Sequence, residues 1–154
     1  MNVEYINPFI EASKTVLKSI ANIELVVGKA YLKTSPYASD TLAIIIGVTG
    51  SLRGQVIFSM NKDVALNIAS AMMGGAELTK LDEMSKSAVT EAANMILGNT
   101  ATMFYNTGVA IDITPPSLLM GDNMQISTNK MKTICVPLNI ASGGIIELDV
   151  AVAE

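Results

Sequence analysis

The stretch INPFIEASKTVLKSIANIELVVGKAYLKTSP, Ile6 to Pro36, is followed 80 positions later by KSAVTEAANMILGNTATMFYNTGVAIDITPP, Lys86 to Pro116. Laid on one another without a gap, the two share Glu11/Glu91, Ala12/Ala92, Leu17/Leu97, Ala21/Ala101, Gly28/Gly108, Ala30/Ala110, Thr34/Thr114 and Pro36/Pro116. Ordinary composition would produce about two such identities. Each stretch opens with helical periodicity and closes with a strand-like run. The chain therefore reads as two related halves, about 1–78 and 79–154, in one pseudo-symmetric domain spanning 1–154. Neither half alone could bury more than one face of its sheet.

Working outward, residues 6–21 predict a first helix, with Asn7 as its cap and Pro8 at its first position. Phe9, Ala12, Val16 and Ile20 form its apolar stripe. Residues 24–33 predict a strand, broken at Ser35-Pro36. Residues 41–48 and 54–60 predict a hairpin through Thr49-Gly50-Ser51. Asn61 caps a shorter helix over 62–73, which stops at Gly74-Gly75. The longest helix is expected over 83–105, with strands at 108–114, 117–120, 131–138 and 144–152. The last two flank Ala141-Ser142-Gly143, again a hairpin signal, and Gly121 to Lys130 form a polar loop. In the second half the hairpin corresponds to the first after a ten-residue insertion, with Ile46 matching Val136 and Gly54 matching Gly144. This order predicts an α+β fold, with helices packed on a mostly antiparallel sheet.

The chain has 154 residues, enough for one domain, and half of them are hydrophobic. Net charge is −4, and no basic run is present, which argues against nucleic acid as a partner. Apolar stretches such as Leu42–Val48 are too short to span a bilayer. Glu4 and Glu11 stand where a secretory signal would carry positive charge, so a cytoplasmic protein is expected. There is no histidine, so Ser–His–Asp and Cys–His chemistry and histidine metal ligation are excluded. Cys135, the only cysteine, lies in an alternating run and is expected to be a buried strand residue. No dinucleotide or P-loop glycine pattern occurs, and no metal-ligand cluster is visible. The ten methionines are scattered, as packing residues or as a plastic partner surface.

On a wheel of about 100° per residue, Ser87, Glu91, Asn94 and Gly98 fall within a stripe roughly 60° wide on the long helix. Ala88, Val89, Ala92, Ala93, Met95, Ile96 and Leu97 take the opposite arc and are expected to pack on the sheet. A mid-helix glycine costs about 0.5–1 kcal/mol relative to alanine, so Gly98 on an exposed stripe implies close approach by another molecule. Glu and Asn on an exposed helix face also serve solubility alone. The matching stripe of the first half is Asn7, Glu11, Lys14 and Lys18, which keeps the glutamate and replaces the amide with lysine.

Ser-x3-Glu-x2-Asn on a long helix resembles the signature of the CheC/CheX/FliY phosphatases of bacterial chemotaxis, in which a proline follows. Pro116 lies 22 positions after Asn94, one nearer than the usual spacing. The resemblance includes the tandem helix–strand arrangement, the chain length and the paired hairpins. Lys14 in the first half makes the chain similar to the one-site CheX type rather than the two-site CheC type. The resemblance implies removal of the phosphoryl group from the phosphoaspartate of a CheY-type response regulator. It implies that Asn94 orients water, that Glu91 engages a lysine of the receiver, that Ser87 borders the interface and that Gly98 leaves the receiver room. No cofactor is then expected on this chain, with Mg²⁺ supplied by the partner receiver. A homodimer joined through sheet edges is also implied. Two other readings stay open on the residues: a non-catalytic module that binds a response regulator or a motor protein, and a small-molecule domain with Met-lined cavities.

Overall fold

The computed structural model describes residues 3–34, 36–37, 41–126 and 131–154. A short 3-10 turn, Val3–Tyr5, leads into helix α1, Asn7–Ala21. Strands β1 (Leu25–Val27), β2 (Tyr31–Leu32), β3 (Thr41–Gly50) and β4 (Arg53–Asn61) follow, then α2 (Lys62–Met72). Helix α3, Glu83–Asn106, precedes β5 (Ile111–Ile113), β6 (Ser117–Gly121), β7 (Ile134–Ile140) and β8 (Ile145–Ala153). All pairings among the described strands are antiparallel, so the α+β expectation holds.

The sheet runs β1-β7-β8-β4-β3-β5, with β2 also on β7 and β6 also on β3. Exchange β1 with β5, β2 with β6, β3 with β7 and β4 with β8, and the order is the same in reverse. The hairpins β3–β4 and β7–β8 meet at the centre through β4 and β8. Each hairpin receives its outer strands from the other half of the chain.

Alternation along the strands sorts the two faces of the sheet. Leu42, Ile44, Ile46, Val56, Phe58, Leu138, Leu148 and Val150 join one core with the helix residues Phe9, Ala12, Val16, Leu17, Ile68, Ala92, Ile96 and Leu97. Phe9 and Phe104 meet edge to face at 5.6 Å, holding α1 against the end of α3. The opposite face is covered more lightly, with Tyr37, Ala43 and Ile57 packed by Met124 and Ile126.

Several local expectations need correction. Asn7 does not cap α1, since it already lies inside the helix; Ile6 holds the cap position at φ −87° and ψ −37°, and its hydrocarbon side chain has no oxygen to accept a backbone N–H. Asn61 does cap α2, its Oδ1 accepting from the Val64 N–H at 2.9 Å. The strand expected over 24–33 is two short ones. Pro137 in β7 has no N–H to offer, so the ladder breaks opposite it, and the Gly28 N–H turns to the Pro137 carbonyl at 2.8 Å. The strand expected over 108–114 shrinks to Ile111–Ile113, because α3 runs on to Asn106 and closes through Gly108 at φ +88°. Ser35 and part of the Gly121–Lys130 loop lie outside the described residues.

The gapless match of the two halves also changes. Phe9, Ala12, Ser13, Val16 and Leu17 are buried, and so are Val89, Ala92, Ala93, Ile96 and Leu97, 80 positions on. In the strands, Leu25 pairs with Ile140 while Ile111 pairs with Gly50. Ile140 corresponds to Gly50 in the two hairpins (140 − 90 = 50), so Leu25 corresponds to Ile111, a shift of 86. The six extra residues fall at the end of α3 and its turn. Gly28/Gly108, Ala30/Ala110, Thr34/Thr114 and Pro36/Pro116 therefore do not occupy equivalent places.

Candidate functional site on the long helix

Helix α3 starts at Asp82, whose Oδ1 accepts from the Ser85 N–H and hydroxyl, both at 2.9 Å. These hydrogen bonds hold the Asp82 carboxyl below its usual range. One arc of the helix, including Val89, Ala92, Ala93, Ile96, Leu97, Thr100 and Phe104, is buried. The other arc faces outward. Ser87 and Glu91 are exposed on it, while Asn94 and Gly98 are half-buried. A Cβ built on Gly98 would meet no atom within 4 Å, so the backbone here is open to a visitor.

The structure brings Ser87 and Glu91 together with Pro116. They border a shallow hollow shared with Lys86, Thr90 and Leu118. The proline is placed there by β6, whose Ser117 pairs with Ile45 on β3. Asn94 and Gly98 lie further along the helix and do not line this hollow. Sequence reading did not single out Lys86, Thr90 or Leu118; their part depends on β6 folding beside the helix, a contact far apart in sequence. Met95 is a correction. Its hydrophobicity predicts the packed arc, yet it is exposed, because it stands only one turn from Glu91, at the margin of the outward face.

The first-half stripe is also outward. Asn7, Glu11, Lys14 and Lys18 are exposed on α1. Lys18 is drawn toward the helix end, 3.0 Å from Asn22 Oδ1 and 2.7 Å from Glu24 Oε1.

On the lightly covered face of the sheet, the fold assembles a cluster that sequence reading missed. Lys33 Nζ lies 2.5 Å from Glu147 Oε2 and 3.1 Å from Asp149 Oδ2, with the Tyr37 ring centre at 3.9 Å. The Tyr37 hydroxyl donates to Asp149 Oδ2 at 2.5 Å. Cys135 pairs with Asp149 across β7 and β8 and is buried, as expected. Ligand atoms of Cys135, Glu147 and Asp149 lie within 4.8 Å of one another, although no such cluster was visible in the sequence. The Lys33 ammonium already sits against both carboxylates and supplies their counter-charge. Burial pushes the Cys135 thiol up to about 12, and the charge of Asp149 adds to it, so the thiolate a metal needs is disfavoured.

The fold is that of a chemotaxis-type phosphatase scaffold. Residues 42–139 match the family model described as Chemotaxis phosphatase CheX, and the chain belongs to that family. It is 33% identical over 128 residues to the CheY-P phosphatase CheX of Thermotoga maritima, covering 83% of each chain. Among solved structures it is similar to a CheC-like superfamily protein from Shewanella sp. PV-4, at 28% identity, full coverage of both chains and a TM-score of 0.88. It is also similar to CheX in a CheX–CheY–BeF3–Mg²⁺ complex from Borrelia burgdorferi, at 33% identity, 99% and 100% coverage and a TM-score of 0.81. Among the described residues, no helix is long and apolar enough to cross a membrane.

Proposed function

We propose that this protein is a phosphatase that hydrolyses the phosphoaspartate of a CheY-type receiver domain in bacterial chemotaxis, with Asn94 and Glu91 as its working pair. The observation that carries the reading is the outward placement of both side chains on one face of a 24-residue helix. Phosphoryl transfer asks mainly for positioning and charge stabilisation. An amide both donates and accepts. Asn94 therefore holds a water in line with phosphorus, and its contribution is geometric and entropic, since an amide is not appreciably basic. Glu91, one turn away, accepts from a lysine of the receiver and fixes register. Ser87 and Gly98 border the approach. Mg²⁺ comes with the receiver, which fits a chain whose working pair is a carboxylate and an amide and no more.

Asn94→Ala lowers the accelerated dephosphorylation by about 100-fold, the order that lost positioning costs. Folding is unaffected, because the side chain is on the outer arc. Phosphate release from a phosphorylated receiver, with circular dichroism as the folding control, reads this out. Full activity in Asn94→Ala sinks the assignment. Glu91→Ala weakens complex formation and slows turnover; undiminished binding to the phosphorylated receiver removes its role.

The two halves are a duplicated unit in one domain, a reading supported by the reversed strand order and the matching burial of α1 and α3. The protein acts in the cytoplasm, where receiver domains work. It forms a homodimer through a sheet edge. Support comes from Val26, Val27, Tyr31 and Leu32, which stand exposed on the β1–β2 edge. Val26→Lys shifts the sedimentation coefficient to that of a monomer; a wild type that sediments as a monomer at tens of micromolar overturns the dimer.

A further inference from the structure

We propose that Met84, Met95 and Tyr105 form, with Glu91 and Asn94 between them, one linear docking stripe for the folded receiver domain, and that these three side chains set its affinity without entering the chemistry. This rests on the receiver-phosphatase reading above. The three are 65%, 39% and 74% exposed. At about 100° per residue, Met84, Met95 and Tyr105 lie roughly +20°, +40° and −40° from Glu91, in the same arc as Asn94 and Gly98. From Met84 to Tyr105 the helix rises about 32 Å, close to the diameter of a small domain.

Single exposed apolar residues are ordinary on any surface. Their distribution here is not. Every other large exposed hydrophobic among the described residues belongs to a strand: Val26 and Val27, Tyr31 and Leu32, Leu119 and Met120, and Ile145. The three carried by helices all lie on α3, on the one arc that holds the working pair, and α1 and α2 carry none. The related face of α1 is polar: Thr15 stands 80 positions before Met95, between Lys14 and Lys18. The half without the amide thus also lacks the apolar frame.

Chemistry selects the occupant. Glu91 is the only charged residue in the arc between Met84 and Tyr105, and the protein carries net charge −4. A phosphoryl-bearing acidic partner is therefore not drawn in by long-range attraction, and short-range apolar contact must hold it. Methionine adapts to a partner's shape, and tyrosine offers large contact area at low entropic cost. Gly98, flat and open in the same arc, lets the partner's backbone come down between Met95 and Tyr105. The fitting surface is an apolar patch beside the phosphoaspartate of the receiver.

The test uses the full chain and a CheY-type receiver from the same organism. Met84→Gln, Met95→Gln, Tyr105→Gln and the triple variant keep helix length and helix-forming side chains. Dephosphorylation is followed at varied receiver concentration, and binding is measured by calorimetry with the receiver loaded with beryllofluoride and Mg²⁺. Each single change raises KM and Kd by about 5-fold, equivalent to about 1 kcal/mol, with kcat within twofold of wild type. Met95→Leu and Tyr105→Phe stay near wild type. Asn94→Ala shows the opposite split, losing kcat with Kd retained. A triple variant with wild-type KM and Kd overturns the stripe while leaving the phosphatase reading intact. A wild type that binds the loaded receiver but never shortens the phosphoryl lifetime overturns the phosphatase reading, and the binding arm still judges the stripe. A wild type that does not bind overturns both.

Discussion

Gly98 has no side chain, yet its position can accept one: a Cβ there meets no atom within 4 Å. A mid-helix glycine sacrifices helix propensity, so a fold under no other demand would carry alanine. Gly98→Ala accordingly stabilises the protein by about 0.5–1 kcal/mol, which calorimetry registers as a melting temperature higher by about 1–4 °C for a chain this size. Its cost appears in function. In the proposed docking the added methyl comes between the receiver and the helix backbone, and Gly98→Gln interferes more strongly, raising KM for the phosphorylated receiver with kcat little changed. A Gly98→Gln protein with wild-type KM shows that nothing approaches here. Residues of this kind were legible in the sequence, because Ser87, Glu91, Asn94 and Gly98 obey one helical period. Met95 was not. It is one turn from Glu91, on the boundary between arcs, and its hydrophobicity pulled the reading to the wrong side of that boundary. Tyr105 also follows the period, but an aromatic near a helix end is as consistent with packing as with exposure. Only the position of Phe104, turned inward against Phe9, settles which of the two neighbours is buried.

Among the elements, the helices were easier to read than the outer strands. α2 and α3 begin at Asn61 and Asp82, whose side chains accept from the backbone three residues on, a signal written locally. α1 begins without that signal, so its sequence points to Asn7, one residue past the true cap at Ile6. The inner hairpins were visible from their apolar runs and the glycines between them. β1, β2, β5 and β6 are two to five residues long; β1 and β2 find their partner β7 a hundred or so positions away, and β5 and β6 find β3 some seventy away. Nothing local fixes their ends; Pro137, in the opposing strand, decides where β1 stops. The same limit explains the gapless match of the halves. Helix phase preserves a shift of 80, because the buried faces of α1 and α3 must pack on the same sheet. α3 then runs longer, 24 residues against 15, and the strands after it resume at a shift of 86. Extra length at a helix end costs little when it projects past the packed core, as exposed Tyr105 and Asn106 do. Identities beyond the helix therefore do not mark equivalent positions, and Pro116 has its place from β6 alone.

At the scale of the molecule, the buried cluster around Lys33 ties the β2 edge to the central strand β8, between residues 114 positions apart. Burial by itself lowers the lysine's pKa, but the carboxylates of Glu147 and Asp149 outweigh it, and the folded value is raised above 10.5. The folded protein thus holds a proton that the unfolded chain releases first. As pH rises past about 10.5, the unfolded state binds fewer protons than the native state, so stability falls. The contribution is complete below that value and is lost as pH rises through the folded one. Tyr31 and Tyr37, both raised, and Cys135, raised to about 12 from 9.0, act with the same sign, starting nearer pH 9. Urea midpoints should therefore decline steadily between pH 9 and pH 12. Lys33→Met leaves two close carboxylates without their counter-ion, and at pH 7 it destabilises by about 3–5 kcal/mol. The double change Lys33→Met with Asp149→Asn recovers part of that loss, since one buried charge goes with the ammonium. It also shows a shallower decline above pH 10.5, because the lysine no longer titrates. Parallel declines in wild type and double variant would assign the alkaline sensitivity elsewhere. None of these changes touches α3, which lies across the sheet, so dephosphorylation at pH 7 by the folded double variant stays at the wild-type rate. Its loss there would mean that the two faces of the sheet are coupled.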